Sequence, residues 1–293
     1  LGDKIQSIDD SLESHKADYA SLFTDNADAK NSIYRGKYLG NTVTAEQYTA
    51  ISSGTFTDLY IGDYWTIGGV NWRIAAFNYY RNTGDTNVSG NHITIVPDTQ
   101  LYTHVMNDTN ITTGGYTGSK MYTAGLEQAK STIRGIFGTH LVKHRQIYSN
   151  ATVDGKASGW AWIDSEVDLM SEIMVYGSVV WGESTMGGSG YNIGVGKSQL
   201  PLFRLNPRMI NTRQIYWLRD VVSTVYFACV NSGGYAYIGS SPRFLHILNR
   251  TPLWGEIKII NYINSRRFLF VSNSKKKKRV SIRPSLVIII NLG

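Results

Sequence analysis

The chain of 293 residues contains a single cysteine, Cys229, which excludes an intrachain disulfide framework and any cysteine-based zinc site. Charged residues make up only 17% of the sequence, and prolines number six. No apolar run reaches the length of a membrane-spanning helix and no signal-peptide pattern is present, so we predict no membrane insertion. Cys229 itself lies in the apolar run VYFACV, which predicts a buried structural thiol.

Tyrosine, tryptophan, glycine and asparagine are abundant instead. The 42% apolar content is that of a globular protein, and the length allows one large or two ordinary domains. This composition favours a β-rich, surface-displayed protein over a metabolic enzyme. The first residue is Leu1 rather than Met, which indicates a fragment or a processed chain.

The formal charge of +7 is distributed unevenly. Residues 243–293 carry eleven of the 29 basic side chains and one acidic side chain, so the preceding residues have a small negative excess. The basic run KKKKR at 275–279 is typical of a solvated loop or an electrostatic patch. Because the basic charge is confined to the C-terminal part, we predict no nucleic-acid partner.

A heptad repeat extends over residues 1–35. It predicts a parallel coiled-coil stalk, and a polar residue at an a position together with Ile at both a and d favours a homotrimer. The alternative is a single amphipathic helix that packs on its own domain. The a positions are Ile5, Leu12, Tyr19, Asn26 and Ile33, and the d positions are Leu1, Ile8, His15, Leu22 and Ala29.

The stalk is followed by a predicted connector at 36–64. Within it, Thr44 stands three residues before Gln47, which predicts a capping box at the start of a helix over 44–51. Beyond the connector, alternating apolar residues flank Gly68-Gly69, which predicts a tight β-hairpin. The run HITIVP at 92–97 predicts a further strand.

The head is predicted to span residues 65–293. Apolar residues at helical spacing predict one helix over 122–137, and early acidic residues predict a second helix that begins after Asp164. Two helices among many short strands, without regular βαβ alternation, indicate an α+β fold with a mixed or antiparallel sheet.

Five segments together resemble a domain of undefined function that is common in tail and fibre proteins of phages of Gram-positive hosts. The resemblance covers about residues 33–241 and implies a C-type-lectin-like fold. The segments are IGDYWTIGGVNWRIAAF, HITIVPDTQLYTHVMNDTNITTGGYTGSKMYT, LVKHRQIYSNA, LPLFRLNPRMI and YWLRDVVSTVYFACV.

The segment from 231 to 241 follows the WLR strand, the position at which the resemblance implies an exposed, variable receptor face. Its composition of Asn, Ser, Gly, Tyr and Ala is typical of a recognition surface, because Tyr provides contact area at low entropic cost and the small polar residues provide adaptable hydrogen bonds. The alternative is an ordinary polar loop. The candidate ligand-binding residues are Asn231, Ser232, Tyr235, Tyr237, Ser240 and Ser241.

The C-terminal part departs from the family pattern. The family's closing strand has its nearest match in SIRPSLVI at 281–288, about forty residues late. The intervening residues 243–280 are atypically rich in Ile, Asn, Lys and Arg, and represent either an insertion near the binding face or an out-of-frame product.

Candidate chemistry is weak elsewhere. Asp164, Glu166 and Asp168 form the best carboxylate cluster for glycosidase or calcium chemistry, yet they also suit a helix N-terminus. His140 and His144 stand four residues apart without the Glu of a zincin motif. The adjacent Arg219 and Asp220 are predicted to be buried and structural. We therefore predict no catalytic residue, metal or cofactor.

These observations give three hypotheses. The first is a non-enzymatic phage receptor-binding protein on the virion, whose homotrimeric stalk presents lectin-like heads to a bacterial surface glycan or protein. The second is a structural virion protein, such as a head fibre or tail-assembly component, that packs against other virion proteins. The third is a cell-wall glycan depolymerase acting through Glu166 or Asp168.

Overall fold

A computed structural model describes residues 2–23, 27–81, 90–182, 198–243, 245–246 and 249–254. These residues belong to one compact unit, Leu1–Glu256, while the second unit, Ile257–Gly293, lies outside the described residues. The α-helices are α1 Gly2–Phe23, α2 Ala27–Lys30, α3 Ala45–Ser53, α4 Leu126–Phe137, α5 Glu172–Tyr176 and α6 Pro201–Leu205.

The strands form three sheets, so the fold is α+β with mixed and antiparallel pairing. The six-stranded sheet has the order β1-β2-β3-β4-β13-β8, the five-stranded sheet β11-β10-β9-β12-β5, and the third is the hairpin β6-β7. The strands are β1 Tyr38–Gly40, β2 Tyr64–Ile67, β3 Val70–Phe77, β4 His92–Pro97, β5 Thr103–His104, β6 His144–Val153, β7 Lys156–Ser165, β8 Asp168–Leu169, β9 Tyr216–Val221, β10 Tyr226–Val230, β11 Ala236–Ser240, β12 Leu245–His246 and β13 Asn249–Trp254.

The sequence signals for one helix cap and one β-turn are confirmed. Thr44 and Gln47 form the predicted capping box of α3, and Gly54 ends this helix in the left-handed conformation. Gly68 and Gly69 both have positive φ values, as a two-residue hairpin between β2 and β3 requires.

Residues 36–64, predicted to be a connector, pack into the main hydrophobic cluster. β1 pairs in parallel with β2, and α3 places Tyr48 and Ile51 in the main hydrophobic cluster. That cluster lies around Trp65 and Trp72 on the six-stranded sheet. The same apolar burial that orders β2 and β3 therefore also orders this segment.

The helix predicted after Asp164 is wrong at its start. Asp164 lies near the end of β7, paired with Arg145 of β6, and the helix α5 begins only at Glu172. The hairpin β6-β7 extends through Asp164 and ends at Ser165, because cross-strand pairing offers this backbone a partner that an isolated helix start does not.

The strands β9 and β10 of the five-stranded sheet are buried on both faces. Tyr216, Leu218, Ala228 and Val230 belong to the main cluster, whereas the alternate residues belong to a second one. That second cluster includes Trp217, Val221, Phe227 and Cys229. This alternation fixes the register of β9 and β10, which carry the segment predicted to be displayed.

No helix among the described residues has the length and apolarity needed to cross a membrane.

Candidate functional site

The candidate site is the turn and edge strand that follow β10. β11 is the outermost strand of its sheet and pairs with β10 in an antiparallel hairpin, with Tyr237 opposite Cys229. Cys229 is fully buried and burial raises the pKa of its thiol to about 12, so it packs in the core as an unreactive apolar group. The prediction of a buried thiol is confirmed.

The turn between β10 and β11 is held by the side chain of Asn231. Its carboxamide oxygen accepts hydrogen bonds from the backbone N–H groups of Gly233, at 2.8 Å, and Tyr235, at 2.9 Å. Gly234 has a φ of +87°, a conformation that few other residues adopt without strain. The Tyr176 hydroxyl donates to the Gly234 carbonyl at 3.2 Å, which anchors the turn to the core.

Tyr235 and Tyr237 are the most exposed rings of this turn and strand, with 72% and 46% of their surface accessible. Ser232 is also exposed, and Ser240 is half-buried. Neither phenol hydroxyl has a hydrogen-bond partner among the described residues. We use the term tip surface for Asn231, Ser232, Tyr235, Tyr237 and Ser240.

Ser241 does not belong to this surface, although the sequence grouped it with the other candidates. It is fully buried, and its hydroxyl donates to the carbonyls of Ile111, at 2.7 Å, and Val225, at 3.1 Å. A ligand cannot reach a hydroxyl enclosed in this way, so Ser241 is a structural residue. Asn231 likewise uses its oxygen to build the turn.

The three sequence-predicted carboxylates lie in different surroundings. Asp164 forms an exposed ion pair with Arg145 at 3.1 Å, and Glu166 accepts from Arg134 at 2.8 Å. Asp168 is fully buried, and it accepts from the Tyr148 hydroxyl at 2.6 Å. Each carboxylate is thus committed to its own protein partner.

Asp168 is further held by His144, whose Nε2 lies 3.1 Å away. Burial alone raises the pKa of this carboxyl, but the hydrogen bonds from His144 and Tyr148 outweigh burial and lower it below its ordinary value. Asp168 is therefore an ionised structural anchor inside the protein. Its enclosure prevents a polymer chain from reaching it in this conformation.

His140 and His144, which the sequence spaces four residues apart, have different contacts. His140 stacks on the Tyr48 ring with centroids 3.6 Å apart, while His144 contacts Asp168. Within the part of the chain that the structure describes, no group of three or more His, Cys, Asp or Glu side chains is placed to hold a metal ion.

Arg219 is buried, as predicted, although its Nη1 has no hydrogen-bond partner among the described residues, and Asp220 is half-buried. The guanidinium carbon of Arg219 lies 5.0 Å from the centroid of the Tyr148 ring. Asp220 accepts the backbone N–H of Glu172 at 2.7 Å, and burial raises its pKa to about 6.

Sequence reasoning missed Trp181, which lies against the tip surface. Its indole N–H donates to the carbonyl of Ala236, the residue between the two tyrosines, at 3.2 Å. The two positions are 55 residues apart, so only the tertiary fold brings them together. The available sequence signal was a tryptophan that precedes a glycine-rich run. This signal does not indicate that the tryptophan contacts Ala236.

Comparisons with protein-family models, with curated proteins and with solved structures found no match to this chain.

Proposed function

We propose that this protein is a phage receptor-binding module, in which a coiled-coil stalk presents C-type-lectin-like heads to a bacterial surface. The observation that carries the proposal is the tip surface: exposed Tyr237 on an edge strand and exposed Tyr235 in the turn before it, a turn fixed by Asn231 and Tyr176. Rigid exposed rings are costly for a monomer to display but effective for binding, because little conformational entropy is lost when they contact a ligand.

The helix α1 supports the oligomeric part of the proposal. Ile5, Ile8 and Leu12 follow the heptad spacing and remain 54%, 65% and 50% exposed in the single chain. An apolar stripe of this kind is buried when helices associate. Asn26, predicted to set the register, lies outside the described residues. Threefold display would raise the avidity of weak sites by roughly 10²–10⁴ without new contacts.

The proposed test measures binding of the fluorescently labelled full chain to a panel of whole Gram-positive cells. We expect saturable binding to some strains and at least about tenfold weaker binding by the variant Tyr235→Ala/Tyr237→Ala, because truncated aromatic anchors commonly cost 2 kcal/mol or more. The variant should unfold at the same temperature as the wild type, since both rings are exposed.

A matched control is Tyr38→Ala, which removes another exposed tyrosine, on β1. Loss of binding in this control as well would show that the cells capture exposed rings unspecifically. If the wild type binds no strain and instead assembles with other virion proteins, the structural virion role replaces the receptor-binding role.

A further inference from the structure

Trp181 is held beside the two tyrosines by a buried carboxylate. Glu172 is fully buried, and its side chain accepts the backbone N–H groups of Val180, Trp181 and Gly182 at 3.0, 3.0 and 2.8 Å. Three N–H donors on one carboxylate fix the backbone of this turn. The ring of Trp181 remains 49% exposed above it.

The turn cannot be moved away from the sheet without loss of contacts. A Cβ atom at Gly182 would approach the Asp220 Cβ to 2.7 Å, so the chain passes close to β9 at this point. Asp220 in turn accepts the N–H of Glu172 at 2.7 Å. From Asp220 through Glu172 to the indole N–H on Ala236, a continuous series of hydrogen bonds links the core to the edge of the tip surface.

The tip surface and Trp181 together present three rings around one backbone position, Ala236. Tyr235, Tyr237, Trp181, Ser232 and Ser240 carry no formal charge. The charged residue nearest to Ser240 along the chain is the exposed Arg243, whose backbone N–H donates to the Ser240 carbonyl at 2.9 Å. Aromatic faces pack on apolar C–H faces of a ligand, and the free phenol hydroxyls offer hydrogen bonds to its polar groups. A sugar ring has both features, an apolar face and a rim of hydroxyls, and a surface polymer repeats them.

We propose, on the basis of the proposed receptor-binding function, that Trp181 is a further ligand-contacting residue and that this face binds a saccharide of the cell surface. The rings make the contact directly, without a bridging cation. Threefold presentation suits a ligand whose repeating units can engage several heads at once.

The first experiment tests the role of Trp181 by measuring binding to whole cells of a strain that binds the wild type. Trp181→Ala is expected to weaken binding at least about tenfold, whereas Trp181→Phe, which keeps a ring but loses the N–H bond, stays within about threefold. Tyr38→Ala serves as the exposed aromatic control. Unchanged binding by Trp181→Ala, with Tyr235→Ala/Tyr237→Ala still defective, overturns the role of Trp181 but leaves the proposed function intact.

The second experiment tests the ligand class on the same cells. Periodate, which cleaves vicinal diols of sugars, is expected to abolish binding, while protease treatment of the cells and addition of EDTA leave it unchanged. Binding that is lost after protease and survives periodate identifies a protein receptor and overturns the saccharide. Binding that EDTA abolishes overturns direct contact without a cation. Absence of wild-type binding to every strain contradicts the proposed function itself.

Discussion

At the scale of single residues, His92 shows how burial fixes a protonation state. The residue is fully buried in β4, where Nε2 accepts the backbone N–H of Tyr80 at 3.0 Å and Nδ1 lies 3.0 Å from the Gly90 carbonyl. Only the neutral ring, protonated at Nδ1, satisfies both contacts. Burial lowers its pKa from 6.5 to about 4, and the nearby His144 and Arg81 act in the same direction.

The protein should therefore lose stability on acidification through His92. A histidine whose pKa is lower in the folded state contributes fully above pH 6.5, and this contribution falls away as the pH decreases toward 4. The shift corresponds to about 3 kcal/mol. Relative to His92→Gln, the wild type should lose about this amount of unfolding free energy between pH 7 and pH 4, measured by urea denaturation.

The wild type must be compared with His92→Gln because Asp220 changes the free energy of unfolding in the opposite direction as the pH falls. Its raised pKa of about 6 means that protonation of this carboxyl favours the folded state as the pH falls below 6. The difference between wild type and His92→Gln removes this shared contribution. Parallel stability curves for the two proteins would contradict the burial of a neutral His92.

Among the candidate binding residues, the sequence predicted the exposed tyrosines correctly but wrongly included the buried Ser241. Tyr235 and Tyr237 follow from composition, since Tyr among Ser and Gly is typical of recognition surfaces. Ser241 was grouped with them because its residue type is polar, but its hydroxyl is buried and lies against the carbonyls of Ile111 and Val225. Whether a small polar side chain faces solvent or the backbone depends on contacts that are distant in sequence.

At the scale of elements, turns and caps were predictable because their chemistry is local. Gly68-Gly69 supplies the two positive φ values of its hairpin, and Thr44 with Gln47 closes the start of α3. The helix after Asp164 failed because the competing partner, β6, lies about twenty residues away in the chain. An acidic residue such as Asp164 suits a helix N-terminus and a strand position opposite an arginine equally well when only the sequence is considered.

The hairpin β6-β7 turns through a pair that few residues can replace. Asp154 and Gly155 both have positive φ values, and a Cβ at Gly155 would lie 2.4 Å from the Thr224 backbone nitrogen. Gly155→Ala should therefore lower the unfolding free energy by about 1–3 kcal/mol, through strain and steric overlap.

Gly135 offers the matched control, because it lies within α4 and a Cβ there meets nothing within 4 Å. Gly135→Ala should raise the unfolding free energy by about 0.5–1 kcal/mol, since alanine is the better helix former. Thermal and urea unfolding of both variants check the contrast. Equal effects of the two substitutions would mean that β6-β7 does not turn at Asp154-Gly155.

At the scale of the whole molecule, the six-stranded sheet contains a strand that the sequence did not predict. This strand, β13, lies between β4 and β8, with Leu253 opposite Ile93 and fully buried. The closing strand that the resemblance implies at 281–288 lies outside the described residues and stays a prediction. The atypical segment 243–280 therefore begins with residues that belong to the fold.

The oligomeric state can be tested through α1. Ile8→Glu/Leu12→Glu places charges in the apolar stripe, where association would bury them, so the assembly should dissociate. Light scattering should give about three times the 32.7 kDa chain mass for the wild type and the chain mass for the variant. A monomeric wild type would contradict the stalk while leaving the binding face untested.

The central claim is tested most directly by comparing cell binding of the wild type and of Tyr235→Ala/Tyr237→Ala on the same Gram-positive strain. The two proteins should first be shown to have the same oligomeric mass and the same unfolding temperature. We predict that the wild type binds saturably and that the variant binds at least about tenfold more weakly. Identical binding curves for the two proteins would contradict the assignment of the tip surface as the receptor-binding face.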